Sequence, residues 1–467
     1  MRGVKDMDSV DKKYCYSNIP WIGEIPEDWT LPKVGYLTIK VGSGKTPNGG
    51  SDVYVDEGVM FLRSQNIYDE GLSIENVSFI STDIDYDMRN TQVQKGDVLL
   101  NITGGSIGRC CIFDLENTPA NVNQHVCIIR VNQDLVSNGY MRYFWASGAG
   151  KAIIDYAQTG GNREGLNFEQ IKNARIPIPQ RVEQDLVVTH IDRETIQIDR
   201  LIADKQKLIE LLKEQRQSII SEAVTKGLGA SVPMKDSGIE WIGKIPSHWN
   251  VTRGKNILHL MKRPPADDCE VVTCFRDGEV TRRSNRREDG FTFADKEIGY
   301  QGIEVGDLVI HGMDGFAGSI GISDSSGKGS PVLCVCRAKK SGVESFYMYY
   351  LRALAVQDVF LALSTGIRER SCDLRWNKIS TLLFPIPPEN EQVAIVKHIG
   401  DKMAQIDAVI QQCNDQIALL KEYRQSIISE AVTGKYIVPA VDAPTEAKPE
   451  RQANIHFKRR VLAAKNP

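Results

Sequence analysis

The sequence predicts a mixed α+β (α/β-class) chain built as an internal duplication. Two globular domains with β-rich cores are expected, separated by two long antiparallel helices that form a coiled coil with pseudo-two-fold symmetry. Three observations predict this fold. The segment RQSIISEAVT occurs at 216–225 and again at 424–433. The segments WIGEIPEDW (21–29) and WIGKIPSHW (241–249) open the two copies. Between these markers lie short β-like runs bounded by turn residues, which are typical of compact β-rich domains.

The repeated segment is the end of a long helix in each copy. Residues 183–225 and 391–433 align without a gap and share 24 of 43 residues, which indicates duplication. Apolar residues recur at steps of three and four, from Ile191 and from Ile399 onward, so they lie on one helix face. Gly227 and Gly434 are stop signals. Each stripe needs a partner, and pairing within one chain requires antiparallel helices; two separate amphipathic helices in two cores are the alternative.

Composition and charge limit the possible functions. The chain is 41% apolar and 25% charged with a net charge of −3, so binding to nucleic acid would have to rest on local patches. It contains no run of 18 apolar residues and its charged start lacks a secretory pattern, so we expect a cytoplasmic protein without a membrane span. The scattered cysteines lack the spacing of metal or redox pairs, which predicts reduced thiols and no metal site.

The markers divide the chain into six segments. They are an N-terminal arm (1–17), a first domain (18–180), a first long helix (181–229), a second domain (238–388), a second long helix (389–436), and a linker with a basic tail (437–467). Strands are expected at Val59–Leu62, Val98–Ile102, Val126–Val131, Val271–Phe275, Leu308–Ile310 and Leu333–Cys336. Helical segments are expected near 139–157 and 343–363. The domain interiors differ widely in sequence, which indicates one scaffold carrying two variable surfaces.

Catalytic motifs are not found in the sequence. The loop GSGKT (42–46) lacks the first glycine of a phosphate-binding loop. The Pro-Pro pairs at 264–265 and 387–388 lack the aromatic residue of the amino-methyltransferase motif. His190 and His398 occupy equivalent helix positions, where we expect them to pack or cap rather than to catalyse.

Polar loop residues suggest a DNA-reading surface in each domain. The candidates in the first domain are Ser43, Lys45, Thr46, Arg63, Gln65, Asn66, Ser106, Arg109, Asn162 and Arg163. Those in the second domain are Arg276, Arg282, Arg283, Arg286, Arg287, Asp314, Arg368 and Arg370. Arginine, asparagine and glutamine reach base edges, and lysine and arginine contact phosphates. A plain solvated charge run is the alternative for 275–290, because acidic residues neutralise part of it.

This layout resembles the specificity subunit of type I restriction–modification systems, the HsdS family. The matching segments are the exits IPIP (176–179) and FPIPP (384–388), the Glu-Gln pairs at 183–184 and 391–392, the LLKE segments at 211–214 and 419–422, and both RQSIISEAVT endings. The two tryptophan segments and the GSGKTP loop are similar too, so that the resemblance covers about residues 17–436. The second domain departs from the pattern, because Lys262-Arg263-Pro264-Pro265 stands in place of that loop.

The resemblance implies two target recognition domains, each reading one half of a bipartite site in double-stranded DNA. It also implies that the helices set the spacing and dock two modification subunits, which restriction–translocase subunits join. The chain itself would be non-catalytic and would bind no cofactor; S-adenosylmethionine, ATP and Mg²⁺ would bind to the partner subunits that methylate adenine and cleave DNA. The helix residues expected in docking are Arg216, Gln217, Glu222, Arg424, Gln425 and Glu430. The alternative is a stand-alone sequence-specific DNA-binding regulator, whose gene would lack a neighbouring modification-subunit gene.

Overall fold

The computed structural model describes residues 13–158, 165–229, 231–266, 268–286, 298–339, 343–362, 374–436 and 438. Contacts divide the chain into two compact units, Met1–Ala203 with Gln416–Pro467, and Asp204–Asp415. Each unit therefore combines one β-rich domain with the first part of the long helix that follows it and the last part of the other long helix.

The first unit is rich in short strands. They are β1 (Tyr14–Tyr16), β2 (Glu24–Pro26), β3 (Thr38–Ser43), β4 (Val59–Leu62), β5 (Ile67–Tyr68), β6 (Gly71–Leu72), β7 (Ser78–Ile80), β8 (Val98–Asn101), β9 (Cys110–Ile112), β10 (Ala120–Val122) and β11 (Val126–Val131). An antiparallel sheet has the order β3-β11-β8-β9, and a smaller sheet, β10-β4-β7, contains the parallel pair β4–β10. Side chains alternate across β8, so Val98 and Leu100 join one apolar cluster and Leu99 joins another. The four-stranded sheet is thus buried on both faces.

Helices cover one face of this sheet. They are α1 (Val34–Leu37), α3 (Asn138–Ala146), α4 (Gly148–Gln158), α5 (Phe168–Asn173) and the beginning of α6 (Arg181–Lys226). Helix α2 (Thr82–Asp87) lies at the smaller sheet instead, where Ile84 packs against the cluster that contains Val59, Phe61 and Ile80. The aromatic side chains of Tyr140, Phe144 and Trp145 on α3 are fully buried in the main core, together with Val187 and Ile191 of α6.

The second unit repeats this scaffold. Its strands are β12 (Met234–Asp236), β13 (Lys244–Pro246), β14 (Asn250–Arg253), β15 (Leu258–Leu260), β16 (Val272–Cys274), β17 (Val280–Arg282), β18 (Gln301–Ile303), β19 (Leu308–His311), β20 (Ile320–Ile322), β21 (Gly327–Gly329), β22 (Leu333–Ala338) and β23 (Leu383–Ile386). Its four-stranded antiparallel sheet has the order β15-β22-β19-β20. Strand for strand, this order equals that of the first unit, although the two domains differ in sequence.

Helices pack on the second sheet in the same way. They are α7 (Gly254–Ile257), α8 (Glu344–Val356), α9 (Val359–Ala362), α10 (Trp376–Ile379) and α11 (Glu389–Val432). The core holds Phe346, Tyr350 and Phe384, with Ile220 from α6 and Ile399 from α11.

The long helices are antiparallel within each unit. In the first unit, the His190 and Tyr436 rings stack at 5.0 Å and Arg424 Nε lies 3.1 Å from Asp199 Oδ1, so residue numbers rise along α6 and fall along α11. In the second unit, Arg216 Nη1 lies 3.1 Å from Asp407 Oδ1. These two ion pairs join residues at equivalent positions of the two copies, which confirms the predicted internal repeat.

The beginnings of the long helices are fixed by the same contacts in both units. Gln184 Oε1 accepts the Ser137 amide at 2.9 Å and its Nε2 donates to Pro179 O. Gln392 Oε1 accepts the Val343 amide at 3.2 Å and its Nε2 donates to Pro387 O. The glutamine of each Glu-Gln pair therefore attaches its helix to the domain that precedes it.

Some predicted boundaries are wrong. The arm predicted at 1–17 includes β1, which pairs with β2 in the register Tyr14↔Pro26. Residues from Tyr14 onward therefore belong to the folded domain rather than to an arm. Likewise β12 begins before residue 238 and pairs with β13. The compact units cut across both long helices, whereas the sequence suggested separate helical segments. The tail at 437–467 lies outside the described residues except for Val438.

Candidate nucleic-acid interface

Three loops of the first domain meet in one polar network. Thr46 Oγ1 donates to Gln124 Oε1 at 2.7 Å, and Gln124 Nε2 donates to His125 Nε2 at 2.9 Å. Since His125 Nε2 accepts, its Nδ1–H donates to Thr103 Oγ1 at 2.5 Å. Loop 43–46, loop 123–125 and the end of β8 are thereby joined, and the predicted residues Lys45 and Thr46 are exposed on this surface.

The GSGKT loop owes its course to a close approach of two backbones. A Cβ atom at Gly44 would lie 1.6 Å from the Val122 carbonyl oxygen, and the Gly44 amide donates to Asn123 O at 3.1 Å. Glycine is required there for packing of the loop on β10. Ser43 ends strand β3 half-buried, and its hydroxyl donates to Gly44 O.

A buried asparagine joins two further predicted loops. Asn101 Nδ2 donates to Ser64 O at 2.8 Å and to Ser106 Oγ at 3.1 Å. Gln65 is exposed beside the first contact. Arg109 is exposed beside the second, with its guanidinium 4.9 Å from the Tyr68 ring centroid. Stacking of this kind holds an arginine fork in a fixed direction.

Arg63 and Asn66 lie in the same turn, but Asn66 differs from the expectation. Asn66 is 1% exposed, its Oδ1 accepts the Arg63 amide, and its Nδ2 donates to Ser73 O. A side chain with these contacts shapes the turn and has no face left for a base, so Asn66 is corrected to a structural residue. Arg63 is half-buried, with its guanidinium 5.6 Å from the Tyr54 ring centroid.

The arginines predicted in the second domain are largely matched with acids. Arg276 pairs with Asp314 at 3.1 Å, and Arg282 pairs with Glu270 at 3.3 Å. Arg286 pairs with Asp277 at 2.8 Å and with Glu279 at 3.2 Å, and its guanidinium lies 4.3 Å from the Phe275 ring centroid. Arg283 Nε donates to Thr273 Oγ1. The cluster is therefore an ordered network of ion pairs rather than a bare cationic patch.

Candidates that fall outside the described residues are Asn162, Arg163, Arg287, Arg368 and Arg370. Their assignment to the DNA surface stays a prediction from the sequence.

His311 ends β19 at the place that Asn101 occupies at the end of β8. The equivalence follows from matching hydrogen bonds, because the Asn101 amide donates to Arg109 O and the His311 amide donates to Ser319 O. His311 Nδ1 accepts the Asp314 amide at 3.0 Å. Burial lowers the pKa of His311, and Arg276 adds to this effect while Asp314 opposes it.

Helix residues predicted to dock partners prove to be used partly within the chain. Arg216 and Arg424 form the equivalent ion pairs described above. Gln425 accepts from Lys151 Nζ at 3.0 Å and donates to Ala146 O at 3.0 Å. Gln217 is half-buried, whereas Glu222 and Glu430 are exposed on the helix surface.

The helix ends use the same serine to hold a domain. In the first unit, Ser429 Oγ accepts the Gly148 amide at 2.8 Å. In the second, Ser221 Oγ accepts from Gln357 Nε2 at 2.8 Å. Ser221 and Ser429 therefore have equivalent roles in the two copies of RQSIISEAVT.

The side chains of His190, Cys111 and Cys127 are buried and pack in the protein interior. His190 is 6% exposed, stacks on Tyr436 and contacts Arg193. Burial raises the pKa of Cys111 and Cys127 to about 12, which keeps these thiols protonated and unreactive. Among the described residues, no group of three His, Cys, Asp or Glu is placed to hold a metal ion. In the same part of the chain, no helix is long and apolar enough to span a membrane.

Sequence reasoning missed Thr103, Gln124 and His125 on the first surface and His311 on the second. The signal for Gln124 and His125 was present, because NVNQH places polar residues directly before the apolar strand β11. His311 likewise adjoins an apolar run, which it directly follows.

The chain is similar in sequence to specificity subunits of type I restriction enzymes. The family described as type I restriction modification DNA specificity domain matches residues 26–211. The EcoBI specificity subunit of Escherichia coli is 25% identical over 342 residues, which covers 68% of this chain and 69% of that protein. The StySPI specificity subunit of Salmonella potsdam is 20% identical over 431 residues, which covers 88% and 90%.

Solved structures share the fold. A chain from a structure of complex assembly and conformational transition in the type I restriction–modification system has a TM-score of 0.65 and 15% identity, covering 88% of this chain and 99% of that one. The HsdS subunit from Thermoanaerobacter tengcongensis has a TM-score of 0.51 and 15% identity, covering 88% and 98%. The chain therefore contains a type I restriction modification DNA specificity domain at residues 26–211, and it is similar over most of its length to specificity subunits of type I restriction enzymes.

Proposed function

We propose that this chain directs a type I restriction–modification enzyme to a bipartite DNA site, with one half-site read by each domain. The observation that carries the proposal is one scaffold with two different loop surfaces. The four-stranded sheets have equal strand order, yet Asn101 and Arg109 of the first domain correspond to His311 and Ser319 of the second. A scaffold that is kept while its exposed ends change suits the reading of two different sequences.

The two surfaces offer different chemistry to DNA. Arg109 stacks on Tyr68 beside the polar network of Thr46, Gln124 and His125. Stacked arginine and side-chain amides suit direct contact with base edges in the major groove. In the second domain, Arg276 already has Asp314 as a partner, so a phosphate has to compete with a carboxylate. That competition disfavours non-specific binding, which depends on bare positive charge.

We assign docking of the modification subunits to the outward faces of α6 and α11. Leu211 is 51% exposed and its equivalent Leu419 is 63% exposed. Leu201 and Val409, another equivalent pair, are exposed as well. Apolar side chains with this exposure on regular helices favour contact with helices of another protein. The exposed Glu222 and Glu430 complete these faces, while Arg216, Arg424 and Gln425 act within the chain.

The chain supplies recognition and spacing in this proposal, and its partners supply the chemistry. S-adenosylmethionine would bind to the modification subunits, and ATP and Mg²⁺ to the restriction–translocase subunits. The complex would act in the cytoplasm on double-stranded DNA.

The test uses the purified full-length chain with DNA and S-adenosylmethionine. Alone, it should transfer no methyl group and cut no DNA. With its modification subunits added, sequencing of methylated adenines should show two short half-sites separated by a fixed gap. Methylation by the chain alone, or an uninterrupted motif, would contradict the proposal.

A further inference from the structure

We propose that Arg142 and Arg352 are positioning residues, each of which holds the turn of a hairpin beneath its domain's DNA-facing arginine and thereby sets which bases that domain accepts. This inference rests on the proposed function. Neither residue belongs to the candidate surface itself, since both project from helices packed on the sheets, α3 and α8.

Arg352 holds the hairpin of β16 and β17. Its Nη1 donates to Asp277 O at 2.7 Å, at the turn Phe275–Glu279 that joins the two strands. Arg276 projects from the same turn toward Asp314. A shift of the Asp277 carbonyl would therefore move the backbone from which Arg276 reaches outward.

The turn is shaped to receive this guanidinium. Gly278 has φ +91°, and a Cβ atom there would lie 1.3 Å from Arg352 Nη1. A Cβ atom at Gly321 on β20 would lie 1.9 Å from Gly278 O. The turn is thus clamped between a strand on one side and Arg352 on the other.

The charge on Arg352 has no carboxylate partner in the described part of the second unit. Its guanidinium donates to a backbone carbonyl, while the Asp277 carboxylate forms an ion pair with Arg286. Burial lowers the pKa of Arg352, and the nearby Arg216 guanidinium lowers it further. A half-buried cation without an ion-pair partner is unfavourable by itself, and the charge-assisted bond to the turn offsets part of that cost.

Arg142 makes the corresponding contact in the first unit. Its Nη2 donates to Asp69 O in the turn between β5 and β6, and the Asp69 carboxylate accepts the Cys110 amide at 3.0 Å. Tyr68, directly before this turn, carries the Arg109 guanidinium. Arg142 therefore acts on Arg109 indirectly, through the Tyr68 ring on which the Arg109 guanidinium stacks.

The two anchors are not copies of one residue. Ser137 and Val343 occupy equivalent places before α3 and α8, as their bonds to Gln184 and Gln392 show. Arg142 follows Ser137 by five residues and Arg352 follows Val343 by nine, so Arg352 lies about one turn further along the same helix face. Two domains that differ in sequence thus use an arginine from one helix face to hold a hairpin turn.

The experiment uses the full-length chain assembled with its modification subunits, and it begins with the methylated motif of the wild-type complex. Binding is then measured to DNA duplexes that carry one base change in either half-site. The variants are Arg352→Met, Arg352→Lys and Arg142→Met, with Arg253→Met as a matched control that removes one charge from an exposed strand of the second unit. The side chain of Arg352 lines a groove of about 410 Å³, and methionine is shorter than arginine, so the substitution adds no bulk there.

Arg352→Met should reduce base discrimination in the half-site of the second domain by about tenfold, the effect of one lost charge-assisted hydrogen bond. Discrimination in the other half-site should not change. Arg142→Met should do the reverse, and Arg352→Lys should restore part of the loss because the cation is kept. A structural brace would instead weaken all duplexes equally or lower the unfolding temperature.

Equal weakening for every duplex, or no change at all, overturns the inference while leaving the proposed function intact. Absence of a bipartite motif in the wild-type complex overturns the proposed function first. If Arg352→Met does not fold, Arg352→Lys still tests discrimination in the half-site of the second domain. Arg142→Met tests it independently in the half-site of the first domain.

Discussion

The arginines of the two surfaces differ in what already neutralises them. The guanidinium of Arg109 stacks on the Tyr68 ring, whereas the guanidinium of Arg282 forms an ion pair with Glu270. A guanidinium that must leave a carboxylate gains less from DNA, because the exposed ion pair is lost in exchange. We therefore expect segment 275–286 to bind DNA more weakly than its number of arginines suggests.

Arg109→Ala should weaken specific DNA binding by about 1–3 kcal/mol if the side chain reads a base. Arg282→Ala, its matched control in the other domain, should cost clearly less because Glu270 already compensates its charge. Affinity of the complex measured over a range of salt concentrations distinguishes the roles, since a phosphate contact also reduces the salt slope by about one. A larger loss for Arg282→Ala would contradict this ranking.

We expect His311 to make the stability of the second unit depend on pH. Its Nδ1 accepts the Asp314 amide, so protonation at Nδ1 would set two N–H groups against each other. The folded pKa therefore lies below the unfolded value of about 6.5. The stability that depends on neutral His311 is fully present above the unfolded pKa and is lost as pH falls through the folded pKa.

His311→Asn should remove this loss, because asparagine stands at the equivalent position in the first domain and does not titrate. The free energy of unfolding, measured by urea denaturation above and below pH 6.5, should fall less in acid for the variant than for the wild type. The control is His259→Asn on the exposed face of β15. An equal acid-induced fall in wild type and His311→Asn would show that another group is responsible.

Exposure of a side chain could be predicted where it depends on the residue's own loop. Lys45, Gln65 and Arg109 are exposed, and their contact with DNA stays a prediction. The prediction that Asn66 contacts DNA is wrong because its side chain is buried and donates to Ser73 O, a residue outside its own turn. His125 was missed because its partners, Gln124 and Thr103, come together through the pairing of β11 with β8, which local sequence does not reveal.

Elements with a strong local pattern were predicted closely. Val59–Leu62 and Val126–Val131 have the predicted bounds, and α6 ends at Lys226 directly before Gly227. The segment 139–157 proved to be two helices, because Ser147 ends α3 and caps α4 through a bond from the Gly150 amide at 3.2 Å. Strand order could not be predicted, because it depends on distant pairing such as that of β3 with β11.

The exposed leucines of the long helices give a prediction at the scale of elements. Leu211→Glu and Leu419→Glu should each reduce co-purification of the modification subunit, because a charge would enter an apolar contact. The chain itself should remain folded, since both side chains are at least half exposed. Leu135→Glu is the control, because that leucine is 46% exposed on the first domain rather than on a long helix. Normal co-purification of both helix variants would place docking elsewhere.

At the scale of the whole molecule, the duplication explains why antiparallel helices could be predicted from sequence. The same ion pair forms twice, between Arg216 and Asp407 and between the equivalent residues Arg424 and Asp199. Equivalent pairs at both places require the two helices to run in opposite directions. Which DNA sequence each surface prefers does not follow from this symmetry, because the loops are the part that the two copies do not share.

The symmetry does predict how the target should respond to a change in helix length. Insertion of four helix-forming residues after Lys205 and four after Cys413, which are equivalent positions in the two helices, lengthens both by about 6 Å at ~1.5 Å per residue. Four residues are a little over one turn at ~3.6 residues per turn, so the apolar stripes stay nearly in phase. The half-sites should be unchanged, and the gap should grow by about one or two base pairs at ~3.4 Å each. Insertion in one helix alone is the control and should disrupt helix pairing. Sequencing of methylated adenines gives the readout: an unchanged gap in a folded, active double insertion would mean that the helices do not set the spacing.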